Sequence, residues 1–401
     1  MKMNKLIILV SVLSLLLSGC YNRRELNELA IAIGMAIDYK DGKYSVTVQV
    51  IDPNSASARK PASGSTPVII YNTKADSVFE AVRKMTTISP RKIYFSHVRI
   101  IVIGEELARK GIGESLELIT RDPEFRSDFH IVISKETEAK KVLSVLTPLE
   151  NYSAQKLFDS LAVSEKAWAP TNAIEFDALI SDMLTYGKGP VITGVVSKGN
   201  VDEGSKMENV EKTQPIAKLI FSGLGVMNGD KLVGWLDEVE SKGYNYIIGE
   251  VQSTVGPIDC PKKGKVIIEV NNVKSSIKGK FVNGKPKIKV DLNYEVNVGE
   301  VLCKNLSLTN PKHIEILEKN TEKRNVEILK TSVKKAKKLG VDIFGFGAAL
   351  YRANPKEWHK IEKEWAKTGF KEVDIEFNSV CKVRRTGTTS ESYLKDIKES
   401  K

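Results

Sequence analysis

The side chains that offer chemistry in this 401-residue chain are few, and their spacing suits no familiar catalyst. The four histidines, His97, His130, His313 and His359, have no second histidine or carboxylate at metal-ligand spacing. No Gly-x-Ser-x-Gly elbow, phosphate loop or Gly-x-Gly-x-x-Gly fingerprint occurs. Gly345 and Gly347 lack a third glycine, so Phe344-Gly345-Phe346-Gly347 reads as a close backbone approach flanked by buried rings. Asp38-Tyr39-Lys40-Asp41-Gly42 starts like a calcium loop but lacks the later bidentate glutamate, and reads as turn chemistry. The expectation is a protein with no catalytic residue, no metal and no cofactor.

Cysteine is the exception. Cys20 closes Leu17-Ser18-Gly19-Cys20, after a basic start at Lys2 and Lys5 and an apolar run from Leu6 to Leu17, which is the layout of a secretory signal. That run is too short to span a bilayer, for which about 20 apolar residues are needed. A leucine three before the cysteine, with Ser and Gly between, resembles the lipobox of bacterial lipoproteins. There the thiol is alkylated with diacylglycerol and cleavage leaves the cysteine as the first mature residue. Residues 1–19 are therefore expected to be a lipoprotein signal peptide, and Cys20 the lipidation site. Two or more acyl chains, at roughly 0.8 kcal/mol per buried CH₂, hold a protein stably to a membrane where one does not. Three cysteines remain, and an odd number cannot all pair within one chain. Cys260 and Cys303 flank a run of strands and are the candidate pair, with Cys381 left over; three free, semi-buried thiols are the alternative.

The elements that must carry these residues follow from composition and periodicity. At 41% hydrophobic and 28% charged, the chain has the makings of packed cores. Its net charge of +11 falls to +9 when Lys2 and Lys5 are removed. For an exported protein this excludes nucleic acid as a partner and suits an anionic bilayer, to which each nearby Lys or Arg adds on the order of 1 kcal/mol. Tyr44, Val46, Val48 and Val50 alternate after Asp41-Gly42 and predict a hairpin. Residues 52–67, rich in Pro and Ser, predict an exposed loop. Alternating helix and strand patterns from Thr73 to Val196 predict an α/β layer, with one strand over 93–103 and one helix over 105–119. The polar run Lys198–Gln214 predicts a domain boundary. Beyond it, alternation over 264–299 predicts paired strands, and Pro311–Leu339 a long amphipathic helix stopped by Gly340. The lysine face of that helix is either solvated or set against acidic lipid or an acidic partner. Trp358 and Trp365, two turns apart, read as core.

The fold class is thus α+β: two or three mixed α/β domains with central, mostly antiparallel or mixed sheets behind the signal peptide. The boundaries expected are an N-terminal α/β domain over 20–197, with a candidate inserted subdomain near 68–145, a linker over 198–215, a C-terminal α+β domain over 216–384 and a polar tail over 385–401.

Several pieces of the chain resemble one family. Cys20-Tyr21-Asn22-Arg23-Arg24-Glu25-Leu26-Asn27-Glu28-Leu29, Ile33-Gly34 and Asp38 look like the mature start of the Ger(x)C spore germination proteins. So do Phe95-Ser96-His97, Ile103-Gly104-Glu105-Glu106, Phe221-Ser222-Gly223-Leu224-Gly225-Val226, Leu232-Val233-Gly234-Trp235-Leu236, Asp342 through Gly347, Trp358 and Trp365. Tyr21 departs from the family's usual Trp, and both rings suit a membrane interface. The resemblance implies the lipoprotein C subunit of a nutrient germinant receptor, on the outer face of the spore inner membrane. Its partners would be the integral membrane A and B subunits and the bilayer reached through Cys20; whether it touches the nutrient is left open. The rival is a solute-binding lipoprotein of an importer, which would need two similar lobes about a hinge.

Overall fold

The computed structural model describes residues 3–4, 25–52, 66–150, 152–260, 263–303 and 306–387. Cys20, most of the 52–67 loop and most of the polar tail lie outside the described residues.

A nine-stranded sheet forms the first layer system. Strands β1 (Leu29–Lys40) and β2 (Lys43–Ile51) make the expected hairpin, because Asp41 and Gly42 both adopt positive φ (54° and 78°), the demand of a tight two-residue turn. Then come β3 (Val68–Ala75), helix α1 (Val78–Lys84), β4 (Lys92–Tyr94), β5 (Ile100–Gly104), helices α2 (Glu105–Lys110) and α3 (Gly113–Arg121), and β6 (His130–Ser134). They are followed by α4 (Ala139–Ser144), α5 (Ser153–Ala167), α6 (Phe176–Leu184), β7 (Val191–Gly199), β8 (Ala217–Asn228) and β9 (Lys231–Leu236). The order is β3-β2-β1-β5-β6-β7-β8-β9, with β4 beside the start of β1. The central strands β1, β5, β6 and β7 run parallel and the flanks antiparallel. Two cores cover its faces. One packs α1, α2, α3 and α6 against Met35, Ile37, Ile101 and Ile103; the other packs α4 and α5 against Ile33, Ala36, Ile100 and Val102. Burial on both faces is why β5 and β6 read as unbroken apolar runs.

The second system is a four-stranded sheet, β10 (Ser253–Asp259), β11 (Lys265–Val282), β12 (Lys285–Val301) and β13 (Asp374–Arg385), in that order. Ile288, Val290, Leu292, Tyr294 and Val296 of β12 are buried in alternation, as their period predicts. Helices α7 (Glu238–Ile248), α8 (Pro311–Leu339), α9 (Phe346–Ala353) and α10 (Pro355–Glu364) pack against it. Asn310, Pro311 and an αL Gly340 bound α8 where the sequence places its ends.

Four expectations change. The helix expected over 105–119 breaks at Gly111, φ 136°, where the β8–β9 turn docks and the Ile112 amide donates to the Asp230 carbonyl (2.9 Å). The strand expected over 93–103 splits, because the chain turns at Phe95 to bury Phe95 and Val98. Residues 68–145 are not inserted: they supply β3 to β6 of the one sheet. The segment 198–215 is no open linker. It forms two single-turn helices, Val201–Gly204 and Glu208–Glu211, between neighbouring strands, and Asn209, fully buried, bonds the Leu146 and Ala217 carbonyls. Its polarity hides this because one amide satisfies backbone groups that apolar residues cannot.

Cys260 and Cys303 are disulfide-bonded, Cα atoms 6.2 Å apart, across the end of β11, and Cys381 is a buried free thiol pushed up to about 12 by burial. Peptide mapping without reduction is expected to return the 260–303 bridge and one alkylatable Cys381. Because the bridge joins residues 43 apart, Cys260→Ser should lower the unfolding free energy by about 4 kcal/mol in urea titrations. A loss near zero, or a bridge to Cys381, would contradict this arrangement.

Candidate functional site

The one residue to which sequence reasoning assigns a chemical role, Cys20, lies outside the described residues. Several of the resemblance residues that are described share a role: they join elements.

Gly34 of β1 lies under α5, where a Cβ would stand 2.7 Å from the Ala154 Cβ, so only glycine lets helix and strand meet. Asp38, four residues on, is not turn chemistry. Its carboxylate accepts the Ala139 and Lys140 amides (2.8 and 2.9 Å) and caps α4, while burial raises its pKa against those two bonds. Gly104, ending β5, leaves room for it, since a Cβ there would come within contact of the Asp38 Oδ1. Glu105 receives the Trp235 indole N–H (3.1 Å) and so ties α2 to β9. Phe95 stacks on Phe125 at 4.8 Å, and Ser96 Oγ donates to the Glu124 carbonyl (2.7 Å).

The largest joint is at Asp342. Its Oδ1 accepts the amides of Phe344, Gly345 and Phe346 (3.1, 3.0 and 3.2 Å); its Oδ2 accepts the Gly347 amide (2.8 Å) and the Trp365 indole N–H (3.2 Å). The Asp342 carbonyl takes the Gly189 amide (2.8 Å), from the loop that enters β7 of the other sheet. Around it Phe344 and Phe346 stack at 5.0 Å, and Trp358 meets Trp365 edge to face at 5.5 Å. Gly347 sits against both indoles, where a Cβ would lie 2.6 Å from Trp358 and 2.8 Å from Trp365. The close approach and buried rings expected of Phe-Gly-Phe-Gly are present, and both tryptophans are core. The sequence names Asp342 only as part of the resemblance and gives its carboxylate no role. Its signal is an aspartate two residues ahead of a run of free amides, the spacing of an Asx turn.

The histidines are dispersed. His130 is buried and stacks on Phe158 at 4.9 Å, with burial lowering its pKa; His97 and His359 are exposed, and the Ser307 amide donates to His313 Nδ1 (3.2 Å). Among the described residues no three His, Cys, Asp or Glu side chains are grouped to hold a metal ion.

Fold and site together define a two-sheet α+β protein in which several signature residues serve as joints. Residues 22–197 match the family model of the spore germination protein N-terminal domain, and residues 222–387 the model described as spore germination B3/GerAC-like, C-terminal. Over 98% of each chain, the protein is 30% identical to spore germination protein KC of Bacillus subtilis (strain 168). It is 24% identical to that organism's spore germination protein B3, over 93% of this chain and 96% of the relative. The crystal structure of the GerBC protein shares the fold, at TM-score 0.53 and 19% identity, over 90% of this chain and 99% of that one. The chain belongs to the GerAC family of spore germination proteins, as the resemblance in its sequence implies.

Burial raises the Asp342 pKa from the ordinary 3.8 to about 6, against the pull of the donors around it. A group with a raised folded pKa favours folding most below its unfolded value, and that contribution is lost as pH rises through the folded value. Chemical denaturation from pH 4 to pH 7 should therefore show a loss of stability over the interval from about 4 to about 6, absent in Asp342→Asn. At neutral pH the variant, whose amide N–H₂ faces donors, is expected to be less stable by about 3 kcal/mol. Equal stabilities and parallel pH profiles would refute this role.

Proposed function

We propose that this chain is the membrane-tethered C subunit of a spore nutrient germinant receptor. In this reading diacylglycerol on Cys20 holds it at the outer face of the inner membrane, and it works by assembling with the two integral membrane subunits, not by catalysis. The observation that carries the reading is the family match along nearly the whole chain, joined to a lipobox-like Leu17-Ser18-Gly19-Cys20 at the required place.

Three physical points support it. Among the described residues no helix is long and apolar enough to cross a membrane, so membrane residence needs an anchor or a partner. Cys20 precedes Leu29, the start of β1, by nine residues, which at ~3.5 Å each limits that point of the sheet to about 30 Å from the bilayer. Since β1 is central in its sheet, a pull or contact at its start is borne by the whole layer. Nor does the molecule favour the importer's solute binder. Its two sheets differ in strand number and topology and share a packed core, which leaves no hinge between similar lobes.

Tethering raises the effective concentration of the subunit beside its partners to as much as the millimolar range. Cys20→Ala is therefore expected to yield a folded protein of unchanged melting temperature that leaves the membrane fraction. Spores that rely on it should germinate poorly on the matching nutrient and normally with triggers that bypass receptors. Wild-type germination with an unlipidated, soluble protein would overturn the proposal.

A further inference from the structure

Beside the joints lies a cleft of ≈ 530 Å³. One wall is a face of α5: Lys156, Ser160 and Ser164 recur every fourth residue, and Trp168 follows at the same interval past the helix end. The opposite wall is β8 at Leu219–Gly223, where the pairing slips. Thr193 faces Leu224 and Val195 faces Phe221, so Ser222 and Gly223 together oppose Gly194, and Gly223 takes φ 71°. This is a β-bulge, a device that re-aims side chains beside binding sites. Thus Phe221-Ser222-Gly223, one of the segments that carry the family resemblance, shapes this wall.

Lys156 is the chemical anomaly of the cleft. Its ammonium donates to the Leu219 carbonyl (2.6 Å) and stands 5.5 Å from the centre of the Phe221 ring. No carboxylate among the described residues forms an ion pair with it, and burial alone depresses its pKa, to about 8. A half-buried cation without a counter-ion is costly, and such groups gather where a ligand supplies the missing charge. Lys135 lines the same cleft, its ammonium 5.1 Å from the centre of the Trp235 ring. Across Trp168, Lys242 repeats the pattern: it donates to the Val255 carbonyl (3.3 Å), lies 4.6 Å from the Trp168 ring centre and has a pKa lowered chiefly by burial. The acids at the rim do not neutralise Lys156. Asp237 is occupied as the α7 cap, accepting the Glu240 amide (2.8 Å), and Glu238 acts on Lys242.

We propose that this cleft binds a small organic anion, a carboxylate or a phosphate ester. Its charged group sits on Lys156 and its apolar body lies against Phe221, in a cleft that Ser160, Ser164, Ser222 and Trp168 also line. Volume and lining both suit such a ligand, since pockets of roughly 300–1,000 Å³ with a few convergent polar groups are the usual form of small-molecule sites.

The test uses the full chain carrying Cys20→Ala, with benzoate and phenyl phosphate as probes and neutral benzamide as control. Calorimetry is expected to show saturable binding of at least one anion and none of benzamide; which anion binds assigns the headgroup. That anion should also protect Lys156 from amine acylation, read by peptide mass spectrometry. Lys156→Met should weaken binding at least about tenfold while keeping or raising the melting temperature, because it removes a half-buried charge that has no counter-ion. Binding of neither anion, equal binding of benzamide, unprotected Lys156, or undiminished affinity in Lys156→Met would each overturn the assignment. The membrane role is tested apart from this, since Cys20 plays no part in the cleft.

Discussion

A single buried residue, Asp342, sits where the two sheets meet and ties them into one frame, its carboxylate ordering one side and its main-chain carbonyl reaching the other. Asp342 accepts five N–H donors, four from the backbone of Phe344 to Gly347 and one from Trp365, while its own carbonyl takes the Gly189 amide of the other sheet's approach loop. In a buried setting each of those donors would be expensive to leave unpaired, so the side chain fixes a turn and a tryptophan while the main-chain carbonyl of the same residue holds the loop. Val191, Leu224, Val226 and Leu236 of the nine-stranded sheet then join Phe344, Phe346, Trp358 and Trp365 in one continuous core. The Asn245 amide extends the seam by donating to the Ala169 and Thr171 carbonyls at the end of α5. The family models part between residues 197 and 222, yet β7 and β8 pair across that gap, so a boundary in sequence is not one in packing.

Period and turn chemistry were legible wherever one force dominated. The Asp41-Gly42 hairpin, the alternation of β12 and the ends of α8 follow from residues alone, because glycine conformation, pleat and helix period leave one low-energy answer. The disulfide was legible as one of two alternatives, and topology decides it by bringing both ends of β11's neighbours together. What stayed hidden is non-local. Asp38 sits in a strand, 101 residues from the amide it caps, and looked like part of a turn. Asn209 made a polar segment look like a linker, although it is buried among backbone groups it satisfies. The lysine of the cleft gives only a four-residue spacing on α5, and its lack of a counter-ion depends on what β8 places opposite.

Joints and unpaired charge point to different uses of the same scaffold. Gly34, Gly104, Asp38 and Asp342 stiffen the layers that a tether at Cys20 would load, which suits a subunit that presents a fixed surface to membrane partners. The cleft beside α5 retains an uncompensated ammonium that a stability-optimised surface would have paired or replaced, which suits recognition of an anion. Both uses need the seam to be rigid, since α5, β8 and α7 meet at its edge.

Native-state hydrogen exchange tests that rigidity directly. If the sheets form one cooperative unit, the amides of Gly189, Phe344 and Gly347 exchange only through global opening, with the same free energy as core amides of β5 and β12. Faster exchange at those three amides, or two separate opening energies for β5 and β12, would mean that the Asp342 frame does not bind the sheets together.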